Sequence, residues 1–310
     1  MNKDLVLSEK EVVKAELSNQ RNISRFLIDI KRLTKGLVLV SNILPVFTGL
    51  WLALYLTNIS FTAYWDVFLV TLIGSTLVIA GALIINNWFD ADIDAKMSRT
   101  KKRPTVTGRF SLNTVLMTGI GLSLLGFFFL LFTTFEAVIF AFIGWFTYVV
   151  LYTMWSKRRY TLNTVIGSVS GAVTPLIGWS AIEPDLHTVP VMLSVILFIW
   201  QMPHTYAIEI KYLKEYEEAG VKMLPVVHGI SKTRRHMMVY IALLLPLSFT
   251  LMQLGPTFVI TITLLNIIWL LLAVRGFFMN DDLKWARWNF LYSVNYITFL
   301  FLMTIVVTVA

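Results

Sequence analysis

The sequence predicts an all-α polytopic membrane protein of about nine transmembrane helices, and three observations lead to it. Of its 310 residues, 57% are hydrophobic and only 14% charged, with a mean hydropathy of +0.72; a soluble chain carries roughly 25% charged residues. Apolar stretches of about 20 residues, long enough to cross a hydrocarbon core as helix, recur from end to end. All 26 Lys and Arg fall before the first stretch or between alternate later ones. A membrane β-barrel would need segments of about ten residues with alternating polarity, and the sequence does not show them.

The first stretch, 36–57, follows an N-terminal arm that holds 8 Lys and Arg. The second, 67–87, ends at a basic loop holding 6. The third and fourth, 112–133 and 135–155, are followed by 3, and the fifth and sixth, 162–182 and 189–209, by 6. The seventh and eighth, 237–254 and 257–275, precede the last 3, and the ninth is 288–309. The other loops, near 57–66, 133–136, 181–190 and 253–256, carry acidic or neutral residues only. Positive residues mark cytoplasmic loops, which places the N-terminus in the cytoplasm and the C-terminus outside.

Residues 1–35 read as a cytosolic arm with an interfacial helix around 24–35, and 36–310 as one transmembrane domain. The arm lacks the continuous apolar segment and small-residue cleavage site of a secretory signal. The net charge of +8 is assigned to the topology, to anionic membrane lipid and to an anionic substrate, not to nucleic acid. With no Cys, disulfides, thiolate nucleophiles, Cys-bound zinc and iron–sulfur clusters are excluded.

Ionisable groups at a membrane lip are costly and therefore candidates for function. In "NNWFDADIDAKMSRTKKRP", Asn86, Asp90 and Asp94 recur every four residues and share one helix face, while Asp92 falls on roughly the opposite face. Two carboxylates and an amide oxygen in a row form a hard-oxygen set suited to Mg²⁺ and substrate phosphate. The alternative is a solvated helix end before an ordinary basic loop. Arg99, Lys101, Lys102, Arg103 and Arg109 follow; topology accounts for some of them, and Arg is best suited to grip diphosphate oxygens in pairs. Past the sixth stretch, Glu215 and Glu218 share a face, with Glu209 nearly opposite; a second metal site and a Lys-matched solvated helix both fit. His204, directly after Pro203 in an apolar segment, is either a core histidine or a substrate contact. Lys157, Arg158 and Arg159 lie on the cytoplasmic side, and Gly167 and Gly171 form a small-residue pair suited to helix packing.

The motif "NNWFDADIDAKMSRTKKRPTVTG" resembles the first aspartate-rich motif of the UbiA superfamily of intramembrane prenyltransferases, in the form found in its heme-farnesylating branch. The blocks "LTKGLVLVSNILPVFTGL", "YTMWSKRRYTLNTVIGSVSGAVTPLIGW" and "QMPHTYAIEIKYLKEYEEAGVKMLPVVHG" extend the resemblance over about 33–232, in order and at matching spacing. Members usually read Pro-Arg after the lysine of the first block, where this chain has Gly36 and Leu37, and Glu215 stands where the branch commonly has Asp. The resemblance implies a nine-helix bundle with a central cavity open to the cytoplasmic side. It implies farnesyl diphosphate as donor, heme B as acceptor and Mg²⁺ as cofactor. Asn86, Asp90 and Asp94 would be the catalytic, metal-holding residues, with Glu215 at a second metal. Arg99, Lys102, Arg103, Lys35 and Lys157 would bind diphosphate, and His204 heme. A quinone-precursor prenyltransferase is the nearest alternative. A transporter would carry polar groups through the midplane, and here they gather at one mouth. A downstream heme-modifying enzyme or a terminal oxidase assembly is the kind of partner the resemblance suggests.

Overall fold

The computed structural model describes residues 23–309 of the protein, so most of the expected N-terminal arm lies outside the described residues. Among these residues there are helices and no strand. Helix α1, 23–33, turns through Thr34 and Lys35 into α2, Gly36–Leu56. Then come α3, Phe61–Phe89, the short α4, Ala91–Lys96, and α5, Pro104–Thr107. Helix α6 spans Leu112–Leu130, and α7, Phe135–Phe146, continues as a π-helical segment, Thr147–Ser156. The pair α8, Asn163–Ala172, and α9, Thr174–Ser180, precedes α10, Thr188–Lys211. The short α11, Leu213–Glu218, leads to α12, Leu224–Phe249, α13, Pro256–Arg275, and α14, Asp282–Val309.

Helices dominate because hydrocarbon offers no partner to a backbone N–H or C=O, so each segment must satisfy its own. Entry points are marked in the sequence by hydroxyl caps: Ser60, Ser111 and Thr134 accept from the amides of Thr62, Thr114 and Ala137. Among the described residues, seven helices are long and apolar enough to cross a membrane: α2, α3, α6, α7 with its π segment, α10, α13 with the turn after it, and α14. Two of the nine predicted stretches differ. The stretch 162–182 is broken at Val173, ahead of Pro175, into α8 and α9, each too short to span alone. The stretch 237–254 is the distal part of α12, whose first half carries Lys232, Arg234 and Arg235.

Backbone contact replaces side-chain packing where α2 crosses α9. A Cβ on Gly178 would stand 2.0 Å from the Val46 carbonyl oxygen, and one on Gly49 2.0 Å from that of Pro175. Small residues permit this approach, which membrane helices use in place of hydrophobic drive. Gly178→Val is therefore expected to destabilise the bundle by about 1–3 kcal/mol or more, read as a lower thermal midpoint in detergent. Gly121, whose added Cβ meets nothing within 4 Å, tolerates Ala as the control.

The largest apolar cluster joins α2, α9, α10, α12, α13 and α14 around Trp179, Trp269, Phe258 and Phe301. Several of its polar atoms are paired internally. Trp269 Nε1 donates to Asn289 Oδ1 at 3.2 Å, Trp200 Nε1 to the Ser293 carbonyl at 2.8 Å, and Asn266 Nδ2 to Ser248 Oγ at 2.8 Å. On the other side, α2, α3, α7, α8, α9 and α10 surround a cavity of about 210 Å³.

Candidate active site

The cavity wall is apolar along α3 except at Ser75, and elsewhere carries Tyr148, Tyr152, Thr164, Gln201 and Thr174. Thr164 and Gly171, both on α8, lie roughly 10 Å apart at helical rise, so the lining runs about two turns along that helix. Gly167 and Gly171 make room for two lining side chains: an added Cβ on Gly171 would meet the Gln201 amide, and one on Gly167 the Tyr152 ring. This pair thus packs directly against side chains of the cavity lining, not another helix backbone.

At the Tyr148 end the cavity meets a cluster of charges. Asp90 closes α3, its amide bonding the Asn86 carbonyl at 2.9 Å, and the Asp94 amide bonds the Asp90 carbonyl at 2.8 Å. The helical repeat therefore continues across the junction of α3 and α4. Asn86, Asp90 and Asp94 are buried along one face, whereas the Asp92 side chain is 64% exposed and held by Arg158 at 2.7 and 2.8 Å. Each member of the buried row has a cation. Lys35 donates to Asn86 Oδ1, Lys157 pairs with Asp90 Oδ2, and Arg103 with Asp94 Oδ2. Asn86 Nδ2 donates in turn to Thr153 Oγ1 at 2.8 Å, and Lys35 Nζ also reaches the Tyr148 hydroxyl at 3.2 Å.

Three cations thus serve two carboxylates, and their charges show it. Burial, and then the repulsion of Arg103 and Lys157, holds the Lys35 ammonium well below the ordinary lysine range, with Asp90 and Asp94 offsetting part of this. Burial also pulls on Lys157, but the charge and hydrogen bond of Asp90 outweigh it and leave Lys157 above its ordinary value. The Arg158 hydrogen bonds hold the exposed Asp92 below the usual carboxylate range. A polyanion entering here would relieve the repulsion among the three cations.

The basic run is sorted by the fold. Arg103 turns inward, with its side chain 15% exposed. Lys101 and Lys102 are exposed, Arg99 lies over the Tyr212 ring at 5.2 Å, and Arg109 pairs with Asp29 of α1. Position bears on two further expectations. Glu215 does not join the row: its oxygens accept from the Ser98 amide at 2.8 Å and hydroxyl at 2.6 Å, tying α11 to the loop after α4. His204 is not on the cavity wall. Its neighbours Gln201 and Thr205 are, and the helical repeat turns position 204 about 100° from Thr205. Its ring stacks on Trp200 with centroids 4.6 Å apart, and Nδ1 meets Ser293 Oγ of α14 at 2.8 Å.

No cluster of three or more His, Asp or Glu able to hold a metal occurs among the described residues, so any ion would draw on the row and on substrate oxygens. One observation fits such an ion. Asp90 Oδ1 is buried and has no hydrogen-bond partner among the described residues, with Arg158 Nη2 the near cation at 3.8 Å. Tyr148 and Tyr152, not singled out from the sequence, face the cavity beside Lys35 and Lys157, each ammonium 5.9 Å from a ring centre. Their spacing of four just ahead of "SKRR" was the available signal.

A helical membrane bundle whose apolar cavity ends at buried aspartates and inward-facing cations is built to hold an amphiphile with an anionic head. The chain belongs to the UbiA prenyltransferase family, which matches over residues 42–294. Among its relatives is the protoheme IX farnesyltransferase of Oceanobacillus iheyensis, 51% identical over 308 residues, covering 99% of this chain and 98% of the relative. The protein of the same name from a Geobacillus species is 50% identical over 290 residues, covering 94% of each. Solved structures show the same fold at low identity. A UbiA homolog from Archaeoglobus fulgidus bound to DMAPP and Mg²⁺ aligns with a TM-score of 0.67 at 15% identity, over 89% of this chain and 99% of that one. A digeranylgeranylglyceryl phosphate synthase aligns at 0.71 and 20%, over 91% and 98%.

Proposed function

We propose that this chain transfers the farnesyl group of farnesyl diphosphate to a vinyl group of heme B, with addition of water, to give heme O. The observation that carries the reading is the set of Lys35, Arg103 and Lys157 on the Asn86–Asp90–Asp94 row, where the cavity ends. Full-length relatives at about half identity bear the name protoheme IX farnesyltransferase. The Archaeoglobus fulgidus homolog bound to DMAPP and Mg²⁺ supports a prenyl diphosphate and the ion.

Lys35, Arg103 and Lys157 would bind the diphosphate, Arg103 through its fork. Asp90 and Asp94, with Asn86 behind them, would hold Mg²⁺, which when bound neutralises charge on the leaving diphosphate. The cavity wall would exclude water from the allylic cation, and the faces of Tyr148 and Tyr152 would attract it. Arg99 and Lys102 are outer contacts at most. In this reading the basic side faces the cytoplasm and the C-terminus lies outside, with a downstream heme-modifying enzyme or an oxidase assembly taking the product.

The test is the purified protein in detergent with heme B, farnesyl diphosphate and Mg²⁺, followed by mass spectrometry of the heme. A hydroxyethylfarnesyl heme is expected; chelation should abolish it, and added Mg²⁺ restore it. Product from a phenolic acceptor but none from heme would shift the reading to a quinone-precursor enzyme. Turnover that survives complete chelation would remove the metal.

A further inference from the structure

Glu209 of α10 is fully buried, and none of the steps above uses it. Its Oε1 accepts the Thr164 hydroxyl at 2.7 Å. Its Oε2 closes no hydrogen bond among the described residues, although the Leu224 amide lies close enough to favour the carboxylate. Burying a carboxylate with half its accepting capacity unused is expensive. A purely structural staple between α10 and α8 would not need the acid, because Thr164 has a second acceptor in Asn163 Oδ1 at 3.1 Å and an amide at 209 would also accept. Thr164 lines the cavity, so a single hydroxyl separates the acid from the space where chemistry would occur. The other buried carboxylates at the cavity end, Asp90 and Asp94, are already held by Lys157 and Arg103.

We propose that Glu209, acting through the Thr164 hydroxyl, takes up the proton released when water captures the cation formed on the heme side chain. The proposal rests on the function proposed above. Attack of the vinyl carbon on the farnesyl carbon leaves a carbocation next to the porphyrin. A water oxygen bonds to that carbon while one of its O–H bonds breaks. The proton passes to Thr164 Oγ as the proton of Thr164 moves to Glu209 Oε1. The relay starts from the ionised form of Glu209, so the positive charge of the cation and the negative charge of Glu209 both disappear, leaving a neutral alcohol and a protonated acid. Water adds reversibly to so stabilised a cation, so a nearby acceptor decides whether the alcohol persists. Without it, the cation instead loses a proton from the adjacent CH₂, which neighbours the farnesyl carbon the diphosphate has just left. That product is lighter by one water. Glu209 is thus a positioning residue that holds a proton behind Thr164, not a group that touches substrate.

The experiment measures the ratio of hydroxylated to unsaturated farnesyl heme by mass spectrometry for the full-length protein and its variants. Glu209→Gln keeps an acceptor for Thr164, and it is expected to lower the ratio by roughly a hundredfold, at the lower end of what a placed base contributes. Thr164→Val should do the same and Thr164→Ser should restore it, a pattern that mere loss of packing would not give. If Glu209→Gln does not accumulate, the Thr164 pair decides alone. An unchanged ratio in Glu209→Gln or in Thr164→Val, with an active wild type, overturns the relay and leaves the proposed function standing. A wild type that makes no heme adduct overturns both.

Discussion

Asp90→Asn is expected to yield a protein that still inserts and folds but turns over at least about a thousandfold more slowly. The substitution keeps size and shape, so the junction of α3 and α4 is undisturbed. It removes the carboxylate that pairs with Lys157, and with it the buried Oδ1 that lacks a partner among the described residues. The diphosphate cations remain, so substrate affinity should change little while kcat collapses. Unpairing Lys157 costs some stability, which is why rates must be normalised to folded protein by its thermal midpoint. Asp92→Asn is the matched control two residues away. Its carboxylate is mostly exposed and engages Arg158, and an exposed pair contributes at most about 1 kcal/mol, so activity should stay within roughly twofold. Comparable activity in the two variants would sink the assignment of the buried row.

Arg103→Met and Lys157→Met should each raise the KM for farnesyl diphosphate by roughly tenfold to a hundredfold. A hydrogen bond to a charged group contributes about 1.5–3 kcal/mol, and each 1.4 kcal/mol is about tenfold in affinity. Lys101→Met and Lys102→Met remove the same formal charge from the same loop, but these residues are exposed. They should alter KM by less than about twofold at 0.15 M salt, where surface charge is screened within about 8 Å. Steady-state kinetics over diphosphate concentration separates the two pairs. Equal effects from all four would mean that the loop acts only as a diffuse field.

The contrast between those pairs shows where sequence reasoning stops. The spacing of Asn86, Asp90 and Asp94 determines a shared face wherever the helical repeat continues, and it continues here through the Asp90 junction. The exclusion of Asp92 follows from the same arithmetic. No local rule distinguishes Arg103 from Lys102, because the distinction depends on how 97–104 turns back over α4. Glu209 looked like one of several carboxylates matched by Lys211 and Lys214. It is buried because the segment before α12 folds over it, with Asn163 Nδ2 donating to the Lys222 carbonyl at 3.1 Å. The stretch 162–182 counted as one span because its apolar length is continuous, yet Pro175 divides it. His204 was placed by its rarity in an apolar segment, which says nothing about the helix face it occupies.

Lys35 holds a left-handed backbone, φ 49° and ψ 52°, at the corner between α1 and α2. For a residue with a Cβ that conformation costs about 1 kcal/mol, and glycine, the residue that would avoid it, stands one position later. Continuing the helix through this corner would swing the ammonium away from Asn86 and Tyr148. The turn therefore works as an aiming device, with local backbone ease given up so that a charge from the surface helix reaches beneath the rim of the bundle.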